Sequence, residues 1–269
     1  MTYDELDQSI LEIHGAGAPK PAGASTAPEA GALPELWETR HGAILAALGD
    51  DTVARSLRAY REWSVEELDT IGAVVGEGDV VVEYGAEYGA HALWLSRLVG
   101  TSGQIHVIEP RRLAFIDLCT TIGLNRLTQV YPNHAVLGAG NDVVELPAEA
   151  GRPAEASRGE RLDDLAIDSL VLLKLNLPGT LLDVVAGGSE TLRDHRPAIY
   201  FRLSSMDVAA QEIAALKQLG YRCWSHLPYL HNAGNAAGTH TNLFPGWVHQ
   251  NVIAVHEDMA AEFEHLSEL

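Results

Sequence analysis

The chain has 269 residues, enough for one large domain with an extension or for two small ones. Its 37 acidic and 18 basic side chains give a formal net charge of −19, with no basic patch beyond pairs such as Arg111–Arg112, and this argues against a nucleic acid partner. The acidic N-terminus lacks a basic then apolar leader, and no apolar run approaches the ~20 residues of a membrane helix, so a cytoplasmic protein with no membrane contact is expected.

Residues 1–35 read as a flexible arm, a short helix over 1–14 followed by a Gly/Ala/Pro-rich linker. Residues 36–75 read as a helical extension, with helices over 36–48 and 50–60. A third opens on Ser64-Val65-Glu66-Glu67, which has the pattern of a capping box. From residue 76 to the end, strands alternate with helices. Strands are expected at 80–82, 104–109, 130–137, 169–177, 198–203, 221–225 and 251–256, and helices at 91–99, 115–122, 181–192 and 208–219. Residues 144–160 and 231–249 read as loops. The pattern predicts an α/β, Rossmann-like domain with a mostly parallel seven-stranded sheet and helices on both faces. The last strand follows a loop rather than a helix, so it is expected to run antiparallel at the sheet edge. Cys119 and Cys223 lie in apolar or aromatic surroundings and read as free buried thiols, with no zinc site.

The sharpest signal is Glu83-Tyr84-Gly85-Ala86-Glu87-Tyr88-Gly89, a glycine-bearing loop after a buried strand. Glycine lets the backbone approach a ligand, and the helix that follows offers free N–H groups to a carboxylate. The next strand ends at Glu109-Pro110, and a carboxylate there suits the two hydroxyls of a ribose. The glycine spacing is not that of a dinucleotide site, and no basic residue near the loop awaits a phosphate. S-adenosylmethionine is therefore the expected cofactor, bound by Glu83, Gly85, Ala86, Glu87, Gly89, His91, Glu109 and Pro110. A nucleotide-sugar or dinucleotide enzyme is the weaker alternative.

Over about residues 57–257 the chain resembles the FkbM family of methyltransferases. The likeness lies in Tyr60-Arg61-Glu62-Trp63-Ser64, Gly78-Asp79-Val80-Val81-Val82, Ile108-Glu109-Pro110, Leu162-Asp163-Asp164-Leu165, Leu173-Lys174-Leu175 and Leu219-Gly220-Tyr221, with Asn232, Asn235 and Asn251 in the tail. The resemblance implies the Rossmann-like methyltransferase fold and methylation of a hydroxyl on a small molecule such as a sugar or secondary metabolite. Departures fall where the family carries acids. Asn176, Pro178 and Leu181 replace three carboxylates after the fourth strand, and Arg202 replaces one on the fifth. Lys174 and Asn176 are then expected to line the catalytic pocket. Histidine is the substitute base, with His226 the leading candidate and His231, His240, His249 and His256 in the same stretch. Trp224 and Tyr229 are candidates to stack on a ring. A cofactor-binding protein without turnover is the alternative. A homodimer stays open.

Overall fold

The structure, a computed structural model, describes residues 33–148, 152–259 and 263–269. The arm expected over 1–35 lies almost wholly outside the described residues.

The described chain opens with a β-hairpin, β1 (Glu35–Thr39) and β2 (Gly42–Ala46), where a helix was expected. Helix propensity misleads here because Ala and Leu dominate the segment. The alternating burial of Ile44, Ala46 and Leu48 has period two, and tertiary contacts fix the strand. Asn125 accepts from the Ala43 N–H at 3.0 Å and donates to its carbonyl. Two helices follow, α1 (Thr52–Tyr60) and α2 (Val65–Ile71). The capping box ahead of α2 does not form. Ser64 is left-handed at φ 43°, and its buried hydroxyl has no partner. A capping residue needs extended backbone to reach back into the helix.

The central sheet begins with β3 (Val80–Tyr84), followed by α3 (Ala90–Val99), β4 (Gln104–Ile108), α4 (Arg112–Asn125) and β5 (Val130–Asn133). The expected strand over 130–137 breaks after β5. Its second part is β6 (Val136–Leu137), which joins β7 (Val143–Leu146) and β8 (Glu155–Glu160) in a separate small sheet. The expected loop over 144–160 therefore holds two strands, paired antiparallel in alternating register. The chain returns to the central sheet with β9 (Leu172–Leu175), α5 (Leu181–Gly187), α6 (Ser189–His195), β10 (Ala198–Arg202), α7 (Met206–Gln218), β11 (Tyr221–His226), β12 (Asn251–His256) and β13 (Ser267–Glu268). One expected helix over 181–192 is divided at Gly188, which packs tightly on Leu162.

The strands lie in the order β13-β11-β12-β10-β9-β3-β4-β5, eight rather than seven. Pairings from β5 to β10 are parallel. β12 is antiparallel, as expected, but sits between β10 and β11 rather than at the edge. A long connection lets it enter there, and its burial on both sides explains the apolar run Val252-Ile253-Ala254-Val255.

Helices cover both faces. On one, Val82, Leu173, Ile199 and Phe201 pack under α5, α6 and α7. On the other, Val81, Leu172 and Ala198 pack under α2, α3 and α4. The hairpin and α1 form a third cluster with Tyr88, Leu230 and Phe244, closing over the strand ends. Among the described residues no helix is long and apolar enough to cross a membrane.

Candidate functional site

The chain winds from β3 outward to β4 and β5, then crosses back to β9 on the other side of β3. This places the reversal of strand order between β3 and β9, and in open α/β sheets ligands bind outside the carboxyl ends of the strands at that reversal. Two turns meet there, residues 85–89 after β3 and residues 176–180 after β9.

Gly85 has φ 91°, and a Cβ there would lie 3.0 Å from Leu177 and 3.2 Å from Asn176, so glycine lets the two turns touch. Glu87, Tyr88 and Gly89 are all left-handed, which is costly for the first two. Anchors hold the turn. The Tyr88 hydroxyl donates to Asp51 at 2.8 Å, and the Tyr88 carbonyl accepts from Thr121 at 3.0 Å. So held, Glu87 accepts from the Trp63 indole at 2.6 Å and from Arg202 at 3.1 Å. Glu109, at the tip of β4, accepts from the Ala86 N–H at 2.8 Å and from the Arg111 N–H at 2.9 Å. Burial raises its carboxyl above the ordinary range, and these two bonds only partly oppose that. Pro110 follows, its carbonyl 3.2 Å from His134.

The register of β3, β9 and β10 builds a charged rim on the face toward α2 and α3. Val81, Leu172 and Ala198 form one cross-strand row, and two residues on, Glu83, Lys174 and Tyr200 form the next. Asn176 and Arg202 follow on the same face. Lys174 is fully buried, hydrogen-bonded to Asn176, and 3.4 Å from Glu83 and 3.8 Å from Glu67 of α2. Asn176 donates to Glu83 at 3.0 Å and to the Gly85 carbonyl at 2.7 Å, tying the rim to the loop. Arg202 spans Glu67 at 3.3 Å and Glu87. His91, at the start of α3, lies 3.6 Å from Glu87, and its Nε2–H donates to the Trp63 carbonyl at 3.2 Å.

Burial sets the protonation of this cluster. It raises Glu83 to about 7, with Lys174 opposing and Glu87 adding to the shift. It lowers His91 to about 4, with Lys174 contributing. Burial also acts to raise Glu67, but the His249 hydrogen bond and the charges of Arg202 and Lys174 outweigh it and hold that carboxyl well below the usual range. Buried polar atoms still lack partners here: Glu67 Oε2, Glu83 Oε2, His91 Nδ1, Arg202 Nε and Asn251 Oδ1. Such atoms are rare in native interiors and call for a water, an ion or a chemical role to account for them.

All eight candidate cofactor residues and both Lys174 and Asn176 gather around these two turns. His226 lies further along the rim. Its Nδ1 is 2.7 Å from the Tyr200 hydroxyl and its Nε2 is 3.3 Å from Thr70, so both nitrogens are engaged. Trp224 is buried against Phe263, Tyr229 is exposed, and His240 and His256 lie elsewhere. Asn232 and Asn235 shape the loop over 231–249, which Glu62 pins by accepting from Asn232 at 2.9 Å and from the Ala236 N–H at 2.9 Å. Cys223 is buried and Cys119 half-buried, both free. Among the described residues no group of three or more His, Cys, Asp or Glu is arranged to hold a metal ion.

Two residues at the centre of the site were missed as site residues, Glu67 and Trp63. Glu67 had a competing reading as a helix-capping residue. Trp63 carried no signal beyond its place in the family likeness.

The strand order, with an antiparallel strand between β10 and β11, is that of the Rossmann-like methyltransferase fold. Three solved structures are similar at low identity, each with a TM-score below 0.5. Precorrin-6y C5,15-methyltransferase from Geobacter metallireducens is 13% identical, with 72% of this chain and 87% of that one covered at a TM-score of 0.49. Methyltransferase FkbM from Methylobacillus flagellatus is 14% identical, with 77% and 56% covered at 0.47. An S-adenosylmethionine-dependent O-methyltransferase from Thermotoga maritima is 14% identical, with 86% and 80% covered at 0.45. Likeness at this level concerns the fold alone. No protein-family model matches the sequence, and no curated protein matches it, so the FkbM likeness rests on the residues quoted above.

Proposed function

We propose that this chain is an S-adenosylmethionine-dependent methyltransferase acting on a hydroxyl of a small molecule, such as a sugar or secondary metabolite. The observation that carries the reading is Glu109 at the tip of β4, hydrogen-bonded to the Ala86 N–H of the loop after β3, at the reversal of strand order.

The residues fit the cofactor. Glu109 offers a carboxylate for ribose hydroxyls, and Gly85, Ala86 and Gly89 offer close backbone. Two buried carboxyls, Glu67 and Glu83, and the half-buried Glu87 stand with two cations, Lys174 and Arg202, and Glu67 and Glu83 each keep an oxygen without a hydrogen-bond partner. That surplus of acceptors suits a ligand bearing positive charge. When bound, S-adenosylmethionine supplies an electrophilic methyl carbon. Lys174 and Asn176 fix Glu83 and the loop, and Arg202 fixes Glu87, so the site is preorganised before the donor arrives.

The test is transfer of isotopically labelled methyl from the donor to panels of hydroxylated small molecules, with RNA and protein panels alongside. Labelled small molecules support the reading. Label on RNA alone overturns the acceptor class. One observation favours a second reading, a binder without turnover: Arg202 fills the space between Glu67 and Glu87, and Asn176, Pro178 and Leu181 cannot take a proton. Tight donor binding with no labelled acceptor in any panel decides for it.

A further inference from the structure

The rim holds three imidazoles, and they differ in what their second nitrogen does. His226 has both nitrogens in hydrogen bonds. His91 is fully buried beneath Trp63. His249 presents Nδ1 to Glu67 Oε1 at 2.9 Å, and its Nε2 has no hydrogen bond among the described residues, with the side chain 16% exposed. A carboxylate on Nδ1 keeps the proton there, orients the ring and leaves a lone pair on Nε2.

We propose that His249, held by Glu67, is the catalytic base that takes the proton from the acceptor hydroxyl, and that the acceptor presents this hydroxyl on a ring. This rests on the methyltransferase reading and names the base and acceptor class for it. Glu67 is a rigid support. Besides His249, its Oε1 accepts from Asn251 at 3.1 Å and from Arg202 at 3.3 Å. Trp63 sets its ring edge-on to the imidazole, with centroids 5.3 Å apart. Arg202 and Trp63 both contact Glu87 as well, which places His249 beside the loop after β3. The charged and titratable groups of this neighbourhood are Glu67 and Glu66 on α2, Glu83 on β3, Lys174 on β9, Arg202 and Tyr200 on β10, His91 on α3, His226 on β11, and Glu87.

The ring acceptor follows from Tyr229. It is 58% exposed, its backbone bridges to Val248 next to His249, and its N–H is held by Glu66 at 2.8 Å. An exposed aromatic ring on a main chain held in this way, one residue along the pairing from His249, suits stacking on a sugar or aromatic ring.

In the step, the acceptor oxygen gives its proton to His249 Nε2 and its lone pair to the methyl carbon of the sulfonium donor. It displaces sulfur, which keeps the bonding pair as a neutral thioether. The imidazolium, stabilised by the Glu67 carboxylate, then passes its proton to water. A positioned base of this kind contributes ~10²–10⁴-fold.

The test uses the full-length protein. Ring nitrogen NMR on the protein without donor should show His249 protonated at Nδ1 and bare at Nε2. His249→Ala should bind the donor within about twofold of wild type by calorimetry. Its kcat should fall ~10²–10⁴-fold with KM little changed, and added imidazole should restore part of the rate. His240→Ala, at an exposed site, serves as the unchanged control. Tyr229→Ala should raise KM for ring acceptors. A His249 ring protonated at Nε2, or a His249→Ala protein that transfers as fast as wild type, overturns the proposal. Wild type that binds no donor overturns instead the reading on which it rests.

Discussion

On one face of β3, β9 and β10, the residues Val82, Tyr84, Leu173, Leu175, Ile199 and Phe201 are apolar or aromatic up to the strand tips. On the other face, Val81, Leu172 and Ala198 give way to Glu83, Lys174 and Tyr200, then to Asn176 and Arg202. Backbone, register and depth are shared, so the contrast isolates what the side chains contribute. The apolar face gains from every contact it buries. The charged rim loses solvation and recovers it only through pairing, so it adds little to stability, and in the proposed function its role is binding. Stability and chemistry are thus divided between two faces of the same three strands.

Mutations should divide along the same line. The largest effect is expected at Lys174. Lys174→Met leaves Glu83 and Glu67 buried with less compensation and should cost about 3–5 kcal/mol in urea unfolding. Adding Glu83→Gln should return part of that loss, whereas a full additive loss would deny that the rim is a coupled unit. Leu173→Ala, on the apolar face, should cost about 2–5 kcal/mol through a cavity. It should leave donor affinity unchanged, and weakened binding would show that the faces are not separable.

The rim also predicts a pH signature that the apolar face lacks. Folding raises Glu83 from 4.5 to about 7, so the folded state holds a proton over that window which the unfolded state has released. Its contribution is complete below about pH 4.5 and is lost as pH rises through about 7, worth about 3 kcal/mol. His91 acts in the opposite sense. Its value drops from 6.5 to about 4, so its contribution is present above pH 6.5 and lost as pH falls through about 4. The two windows overlap between about pH 4.5 and 6.5 with opposite signs, so measured wild-type stability should change little there, whereas Glu83→Gln should uncover the His91 rise with pH. The smallest effect is expected at Tyr88→Phe, which removes the hydroxyl bond to Asp51 and should cost about 0.5–1.5 kcal/mol. Donor affinity should fall with it, because that bond holds the left-handed turn.

Much of this was legible in the sequence where signals are local. Apolar runs alternating with helical patterns marked the parallel strands, and Glu109 at the end of β4 was recognisable by its distance from Gly85. The rest depends on contacts between distant residues. The hairpin at 35–46 is a strand pair because Asn125 and the third cluster hold it, against its helix propensity. The place of β12 between β10 and β11 is a long-range pairing with no local mark. Arg202 was visible as a departure from the family, but its bridge between Glu67 and Glu87 was not. His249 was one of five histidines, and what distinguishes it is a contact with a residue 182 positions away.

The proposal on which the rest depends is that S-adenosylmethionine binds at the β3–β9 reversal through Glu109 and the loop after β3. Calorimetric titration with S-adenosylmethionine and S-adenosylhomocysteine tests it most directly, in wild type, Glu109→Gln and Gly85→Asp. The account predicts saturable 1:1 binding by wild type, about 10- to 100-fold weaker in Glu109→Gln, as for loss of a hydrogen bond to a charged group. Gly85→Asp should abolish it, because a side chain there meets Leu177 at 3.0 Å and strains a φ of 91°. A folded wild type that binds neither ligand, or a Glu109→Gln protein that binds as tightly as wild type, contradicts it.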